Sequence, residues 1–232
     1  MKSKVTVVGA GNVGATTAQR IFEKGYSDVV LVDIVPGLPQ GKALDMLQSG
    51  PILNSDAKII GTNEYDETEG SDLIVITSGL PRKPGMTRDD LLDANSKIVS
   101  SVVKETATRS PNSKILIVTN PLDAMTQCAL DVSGFDSKNV FGMAGILDTA
   151  RFKTFVSMEL NVSVDSISAF VFGGHGDTMV PITSTTNVGG VLIDKLIPKS
   201  RLDEIIQRTR DGGIEIVNFL KSGSAYYAPS AA

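Results

Sequence analysis

Three side chains in the second half of the sequence could together move a proton and bind an acid. The chain holds one histidine, His175, and glycine flanks it on both sides. An imidazole titrates near neutral pH and suits acid–base chemistry, and the flanking glycines favour an exposed ring over a packed, structural one. Asp148 and Arg151 lie three residues apart, so a helix would place them on one face. A guanidinium can hold a carboxylate through two parallel hydrogen bonds. The alternative interpretations are that Asp148 only marks the start of a helix and that Arg151 is a surface residue.

A glycine-rich segment near the N-terminus is typical of dinucleotide binding. Its G-x-G-x-x-G pattern stands between a strand-like apolar run and a helical pattern, where glycines allow a tight turn, the approach of a pyrophosphate and close helix packing. The helix start offers N–H groups to phosphates. A carboxylate follows the second apolar run, where it can accept hydrogen bonds from ribose hydroxyls and would repel a 2′-phosphate, so NAD is favoured over NADP. The alternative is a glycine turn followed by an ordinary strand-end aspartate. The predicted cofactor contacts in this segment are Gly9, Gly11, Asn12, Val13, Gly14 and Asp33.

The loop over residues 79–88 combines two glycines and two prolines with Arg82, Lys83 and Arg88. Such a loop suits closure as a lid over a bound ligand. Arg88 stands at a predicted helix N-terminus, where a cation is electrostatically unfavourable, and this placement indicates a function rather than a contribution to stability. A solvated basic loop is the alternative interpretation of Arg82 and Lys83.

The elements that must position these residues alternate between strands and helices. Residues 5–8, 29–32, 58–60, 73–76 and 115–118 form nearly continuous apolar runs, as expected for parallel strands covered on both faces. Helical patterns between them predict an α/β fold with a Rossmann-type, doubly wound parallel sheet. The longest predicted helix covers 88–108, and Thr87 with Asp90 forms a capping-box pattern at its start. Beyond residue 140 the patterns predict helices over 144–158 and 202–220 and a strand over 166–172.

Composition narrows the class of protein. Hydrophobic residues make up 41% of the 232, which is typical of a globular chain, and the net charge of −4 disfavours non-specific nucleic-acid binding. No apolar run reaches the ~18 residues of a membrane span, so we expect no membrane partner. The single cysteine, Cys128, predicts a reducing, cytoplasmic location, and the single histidine excludes a multi-histidine metal site, so no metal is predicted. The change of pattern near residue 140 predicts a boundary between a nucleotide-binding domain, 1–142, and a second domain, 143–232.

Five motifs occur in order along the chain. They are GAGNVG at 9–14, PRKPGMTR at 81–88, TNP at 119–121, LDTAR at 147–151 and GHGD at 174–177. Together they resemble the lactate/malate dehydrogenase family, and within it the malate branch. The resemblance runs from the first predicted strand to the last residue, and it implies an NAD-dependent exchange of hydride between malate and oxaloacetate.

The resemblance implies a role for each polar side chain. His175 takes the hydroxyl proton as a general base, Asp148 fixes its tautomer and stabilises the imidazolium, and Arg88 polarises the substrate carbonyl. Arg151 binds the carboxylate beside the reacting carbon. Arg82 matches the arginine that pairs with the second carboxylate of malate, where the lactate branch has an uncharged residue.

The same resemblance extends the cofactor site along the edge of the predicted sheet. Asn120 follows a predicted strand, and by resemblance its side chain contacts the substrate and its surroundings contact the nicotinamide. The further cofactor contacts implied are Thr77, Ser78, Gly79, Asn95, Val118 and Asn120.

Members of this family continue past residue 232, so the predicted α+β substrate domain would be incomplete at its C-terminus. Lactate dehydrogenase of the same fold and an inactive NAD-binding or assembly module are the alternative functions. The resemblance also implies a homodimer or homotetramer. The apolar segment with Leu44, Met46, Leu47 and Ile52 is a candidate contact between copies, and equally a candidate core face.

Overall fold

The computed structural model describes residues 2–81 and 85–232, without the side chain of Arg88. The chain divides into two compact units. The first runs to Gly142 and includes Pro229–Ala231, and the second contains Met143–Ala228 and Ala232.

The first unit is built on a six-stranded sheet in which every neighbouring pair of strands is parallel. The strands are β1 (Ser3–Val8), β2 (Ser27–Val32), β3 (Ile59–Thr62), β4 (Leu73–Ile76), β5 (Lys114–Ile117) and β6 (Val140–Gly142). Their order, β3-β2-β1-β4-β5-β6, is the Rossmann order, which confirms the predicted fold class. Val7, Leu31, Ile76 and Ile117 are fully buried, because helices cover both faces of the sheet.

Within the described residues, four α-helices connect these strands. They are α1 (Asn12–Lys24), α2 (Leu38–Leu53), α3 (Arg88–Arg109) and α4 (Leu122–Ser133). Helix α1 buries Ala18 and Phe22 in the core beneath the sheet and ends at Gly25, which adopts the left-handed conformation of a helix C-cap. Helix α3 begins with the predicted capping box: the Thr87 hydroxyl accepts the Asp90 N–H and the Asp90 carboxylate accepts the Thr87 N–H, both at 3.0 Å.

Helix α2 contains the apolar segment that the sequence predicts to be either a contact between copies or a core face. Met46 packs against the core of the first unit, whereas Leu44, Leu47 and Ile52 are exposed. The segment is therefore a core face at one position and an exposed apolar face at the other three.

The second unit combines helices with short antiparallel strands. Its elements are α5 (Gly145–Leu160), β7 (Ile167–Ser168), β8 (Val171–Gly173), β9 (Met179–Pro181), β10 (Asn187–Val188), β11 (Val191–Leu192), α6 (Lys199–Arg210) and α7 (Gly212–Leu220). The last helix, α8 (Tyr227–Ala231), begins in the second unit, and its residues Pro229–Ala231 belong to the first. A core that includes Phe152, Val156, Met179 and Ile193 joins α5 to these strands and to α6.

Two predictions for this unit are wrong in their extent. The predicted strand over 166–172 is two strands in two different sheets, because β7 pairs with β10 and β8 pairs with β9. The predicted helix over 202–220 is two helices, which meet at Asp211 immediately before Gly212 and Gly213. Glycine is a poor helix former, and the break falls at that pair. Among the described residues, no helix is long and apolar enough to cross a membrane.

Candidate active site

The glycine-rich segment forms a tightly packed turn between β1 and α1. Gly9 has φ of +104°, and a Cβ there would lie 2.7 Å from the Thr77 hydroxyl and 2.8 Å from the Ser78 backbone nitrogen. A Cβ at Gly14 would overlap the carbonyl oxygen of Gly9. Both positions therefore require glycine, one for its conformation and both for the close approach of neighbouring backbone.

Gly11 is different, because a Cβ added there would meet no described atom within 4 Å apart from its own residue and its immediate neighbours in the chain. It is the N-cap of α1, and among the described residues no side chain caps this helix and no acidic residue occupies its first turn. The first N–H groups, at Asn12 and Val13, are thus available to an anion at the positive end of the helix dipole. This open, uncapped helix start fits the pyrophosphate of a dinucleotide.

Asp33 follows β2 and binds the same turn. Its carboxylate accepts the N–H of Ala10 at 2.7 Å and the N–H of Val35 at 2.9 Å. Each carboxylate oxygen keeps further acceptor capacity, which suits it to ribose hydroxyls. The side chain of Lys42 in α2 donates to the Ala10 carbonyl at 2.7 Å. Sequence reasoning missed Lys42, because spacing alone does not show that α2 crosses back toward the turn.

Four more of the predicted cofactor residues directly follow strands β4 and β5. Thr77 donates its hydroxyl hydrogen bond to the carbonyls of Val8 and Gly9, at 3.1 and 3.2 Å. The hydroxyl oxygen of Ser78 is buried and has no hydrogen-bond partner among the described residues. Val118 packs partly against the core, and Gly79 lies against Thr119.

Asn95 is buried in α3, and its amide bonds to backbone. Its Oδ1 accepts the Leu80 N–H at 2.8 Å, and its Nδ2 donates to the carbonyls of Leu80 and Asn120, at 3.2 and 2.6 Å. The Asn95 side chain therefore links the loop after β4 to the loop after β5. Asn120 itself is exposed at the carboxyl edge of the sheet, where ligands bind in this fold. Arg82 and Lys83 lie outside the described residues, as does the side chain of Arg88.

In the second unit, α5 and the β8–β9 loop bring together the residues suited to proton transfer. Asp148 is only 2% exposed, and its Oδ2 lies 3.0 Å from Nδ1 of His175. The Thr149 hydroxyl accepts the Val171 N–H at 2.9 Å, which ties α5 to β8 and so to the histidine loop. An ionised carboxylate can only accept, so Nδ1 carries the proton and Nε2 is left as the basic nitrogen.

The histidine ring is less exposed than its flanking glycines suggest. Its side chain is 19% exposed, and the Asp148 carboxylate lies 3.0 Å from its Nδ1. The expectation of an open ring is therefore wrong in degree. The ring is held at one nitrogen and is not packed as a core residue.

Arg151 lies one helical turn from Asp148, on the same face of α5. Its guanidinium is 3.6 Å from the other Asp148 oxygen, and its Nε is buried without a hydrogen-bond partner among the described residues. Burial lowers the pKa of Arg151, and the charge of Asp148 opposes that shift. A Cβ at Gly212 would lie 3.0 Å from Cδ of Arg151, so the α6–α7 junction forms a wall against this side chain. A desolvated guanidinium with unused N–H groups is suited to a carboxylate ligand.

Comparisons with known proteins agree with this arrangement. Residues 3–142 match the model of the lactate/malate dehydrogenase NAD binding domain, and residues 146–232 match that of the lactate/malate dehydrogenase alpha/beta C-terminal domain. A malate dehydrogenase of Chloroherpeton thalassium is 59% identical over 98% of this chain and 74% of its own length.

Two solved structures are similar over the full length of this chain. The apo malate dehydrogenase of Picrophilus torridus has a TM-score of 0.97 at 48% identity, with 73% of that chain covered. The lactate dehydrogenase of Cryptosporidium parvum, in complex with lactic acid and NAD, has a TM-score of 0.96 at 42% identity, with 75% of that chain covered. Because the two family models together match nearly the whole chain and a relative is 59% identical over 98% of it, this chain belongs to the lactate/malate dehydrogenase family.

Proposed function

We propose that this chain is an NAD-dependent malate dehydrogenase, which interconverts malate and oxaloacetate. The observation that carries the proposal is the group on α5 and the β8–β9 loop. There a buried carboxylate holds an imidazole 3.0 Å away, and a guanidinium with unused N–H groups lies one helical turn along. A base and a carboxylate-binding group stand side by side, as oxidation of a 2-hydroxy acid requires.

His175 removes the proton from the malate C2 hydroxyl through Nε2 as the carbonyl forms. The hydrogen on C2 leaves with its bonding electrons as a hydride, which NAD accepts when it is bound. Asp148 stabilises the imidazolium that results, since its carboxylate lies at Nδ1 and is shielded from water. In oxaloacetate reduction the same nitrogen returns the proton to the oxygen.

Three arginines each bind a different group of the substrate. Arg151 binds the carboxylate next to C2, and its burial strengthens that interaction by excluding water. By family resemblance, Arg88 polarises the C2 oxygen and Arg82 pairs with the second carboxylate. By the same resemblance, the Asn120 side chain makes a further polar contact with the substrate.

The cofactor is NAD, bound in residues 1–142. We assign the pyrophosphate to the start of α1, at Gly11, Asn12 and Val13, and the ribose hydroxyls to Asp33. Thr77, Ser78, Gly79 and Val118 line the groove, and Asn95 supports it by joining the two neighbouring loops. Gly9 and Gly14 serve the cofactor indirectly, because they allow the turn to close. Residues 143–232 form the substrate domain.

We propose that the protein acts in the cytoplasm as a homodimer or homotetramer. The exposed apolar face of α2 is the surface we assign to the contact between copies, since Leu44 and Ile52 are 56% and 82% exposed. Measurement of the mass in solution for Ile52→Glu against the unchanged protein tests this assignment. A mass equal to that of the unchanged assembly would contradict it.

Lactate dehydrogenase activity is the second candidate, because a lactate dehydrogenase structure matches the fold at 42% identity. The substrates of the two activities differ in one group, because malate and oxaloacetate carry a second carboxylate that lactate and pyruvate lack. Steady-state kinetics with oxaloacetate and with pyruvate separate them. We expect a large preference for oxaloacetate, and we expect Arg82→Gln to shift that preference toward pyruvate.

The decisive experiment measures oxaloacetate reduction from the loss of NADH absorbance. His175→Asn keeps a polar side chain but cannot exchange a proton near neutral pH, so we expect its kcat to fall by roughly two to four orders of magnitude. NADH binding should be unchanged in this variant. Equal rates for the two proteins would refute the mechanism, and NADH binding without turnover in the unchanged protein would favour an inactive binding module.

A further inference from the structure

We propose that Lys42 is a positioning residue of the dinucleotide site, one that fixes the glycine-rich turn and adds positive charge where phosphates bind. The inference concerns NAD affinity and rests on the assignment of the cofactor site made above. It assigns a task to a side chain on α2, a helix that the mechanism otherwise does not use.

The contact that carries this proposal joins two elements far apart in the sequence. The ammonium nitrogen of Lys42 lies 2.7 Å from the carbonyl oxygen of Ala10, and the lysine is half-buried. Ala10 stands in the turn between β1 and α1 and is fully buried. A charged donor at this distance forms a strong hydrogen bond, and partial burial limits its screening by solvent and salt.

Ala10 is thus held on both sides by groups of opposite charge. The Asp33 carboxylate accepts its N–H at 2.7 Å, and Lys42 donates to its carbonyl. In a planar trans peptide the carbonyl and the following N–H point in opposite directions, so the bond to Lys42 also fixes the direction of the Gly11 N–H. Gly11 is the open position of the turn, where a pyrophosphate can approach the backbone.

The charge of Lys42 acts in addition to this orientation. The uncapped start of α1 is the positive end of a helix dipole, and the ammonium adds a full positive charge to the turn that precedes it. A bound pyrophosphate carries negative charge, so both contributions favour it. A lysine that only fastened α2 to the sheet would stabilise the fold and leave dinucleotide affinity unchanged.

The test compares Lys42→Met, Lys42→Arg and the control Lys104→Met. Lys104 is an exposed lysine of α3 in the same unit. The dissociation constant of NADH is measured by fluorescence titration of the unliganded protein, which needs no turnover. Loss of a charge-assisted bond should raise this constant roughly tenfold in Lys42→Met, whereas Lys42→Arg, which keeps the charge, should stay within about threefold. Lys104→Met should match the unchanged protein.

Kinetics and thermal unfolding separate positioning from simple fold stabilisation. In Lys42→Met we expect kcat and the KM for oxaloacetate to change less than about twofold at saturating NADH, because the lysine acts only through the cofactor turn. An unaltered NADH dissociation constant in Lys42→Met would overturn the proposal. The proposal would also be overturned if Lys42→Met lowered the unfolding temperature and reduced the affinities for NADH and oxaloacetate equally, and if Lys42→Arg did not restore them. If the unchanged protein binds NADH but does not reduce oxaloacetate, the proposed function fails and the Lys42 measurements still decide this inference.

Discussion

Replacement of Asp148 by asparagine isolates the charge that stabilises the His175 imidazolium. Aspartate and asparagine are nearly isosteric, and Asp148 is only 2% exposed. The substitution should therefore keep the position of the side chain and remove its charge. The carboxylate oxygen lies 3.0 Å from Nδ1. With about 4 Å between charge centres and an effective dielectric constant near 20, the lost attraction is about 4 kcal/mol, or roughly a thousandfold in kcat. An asparagine NH2 can also donate to Nδ1, which would leave the proton on Nε2 and disable the base.

The assay is oxaloacetate reduction at saturating NADH, with the NADH dissociation constant measured in parallel. We expect kcat to fall by roughly two to three orders of magnitude, with NADH affinity unchanged. Asp203→Asn is the matched control, because Asp203 is an exposed aspartate of α6 in the same unit. If Asp148→Asn retains kcat within about threefold of the unchanged protein, the electrostatic role given to this carboxylate is refuted.

Further predictions concern packing around the glycine-rich turn, around Arg151 and at the start of α3. Gly14→Ala should lower the unfolding temperature and abolish NADH binding, because its Cβ overlaps backbone, whereas Gly11→Ala should weaken NADH binding at an unchanged unfolding temperature. In Gly212→Ala the new methyl group displaces Arg151 by a few tenths of an ångström, so kinetics should show the KM for oxaloacetate raised roughly tenfold with NADH affinity unchanged. Thr87→Ala removes the N-cap of α3 and should cost about 1 kcal/mol in denaturant unfolding at neutral pH.

The Thr87 effect should also depend on pH. Hydrogen bonds from Thr87, first from its side chain and then from its backbone, lower the pKa of the Asp90 carboxyl. The ionised carboxylate therefore stabilises the folded state above the ordinary carboxyl pKa, and this contribution is lost as pH falls through the lowered value. The difference in unfolding free energy between Thr87→Ala and the unchanged protein should shrink under acid conditions. A constant difference would contradict this origin.

The parallel sheet was predictable from sequence because its strands are buried on both faces. Such strands are continuously apolar, and residues 29–32 and 73–76 show this clearly. The capping box at Thr87 was predictable for a similar reason, since its two partners are three residues apart and form it locally. The glycine pattern that predicts the turn at Gly9 is likewise contained within a few residues.

The parts that sequence reasoning missed depend on partners far along the chain. Nothing within residues 166–172 shows that Ile167 pairs with β10 while Val171 pairs with β9. The His175 ring is only partly exposed and contacts Asp148, 27 residues earlier, and the position of Lys42 depends on where α2 crosses the turn. Apolar character alone also could not distinguish Met46, which packs inward, from Leu47, which faces solvent.

The two backbone bonds of Asp33 have a consequence for redesign of the coenzyme preference. The carboxylate that would repel an added phosphate also holds the amide groups of Ala10 and Val35. Removing it to admit NADP would therefore loosen the very turn on which either coenzyme rests. A successful exchange must separate these two tasks: first supply a neutral acceptor for both amides, and only then introduce a cation for the extra phosphate.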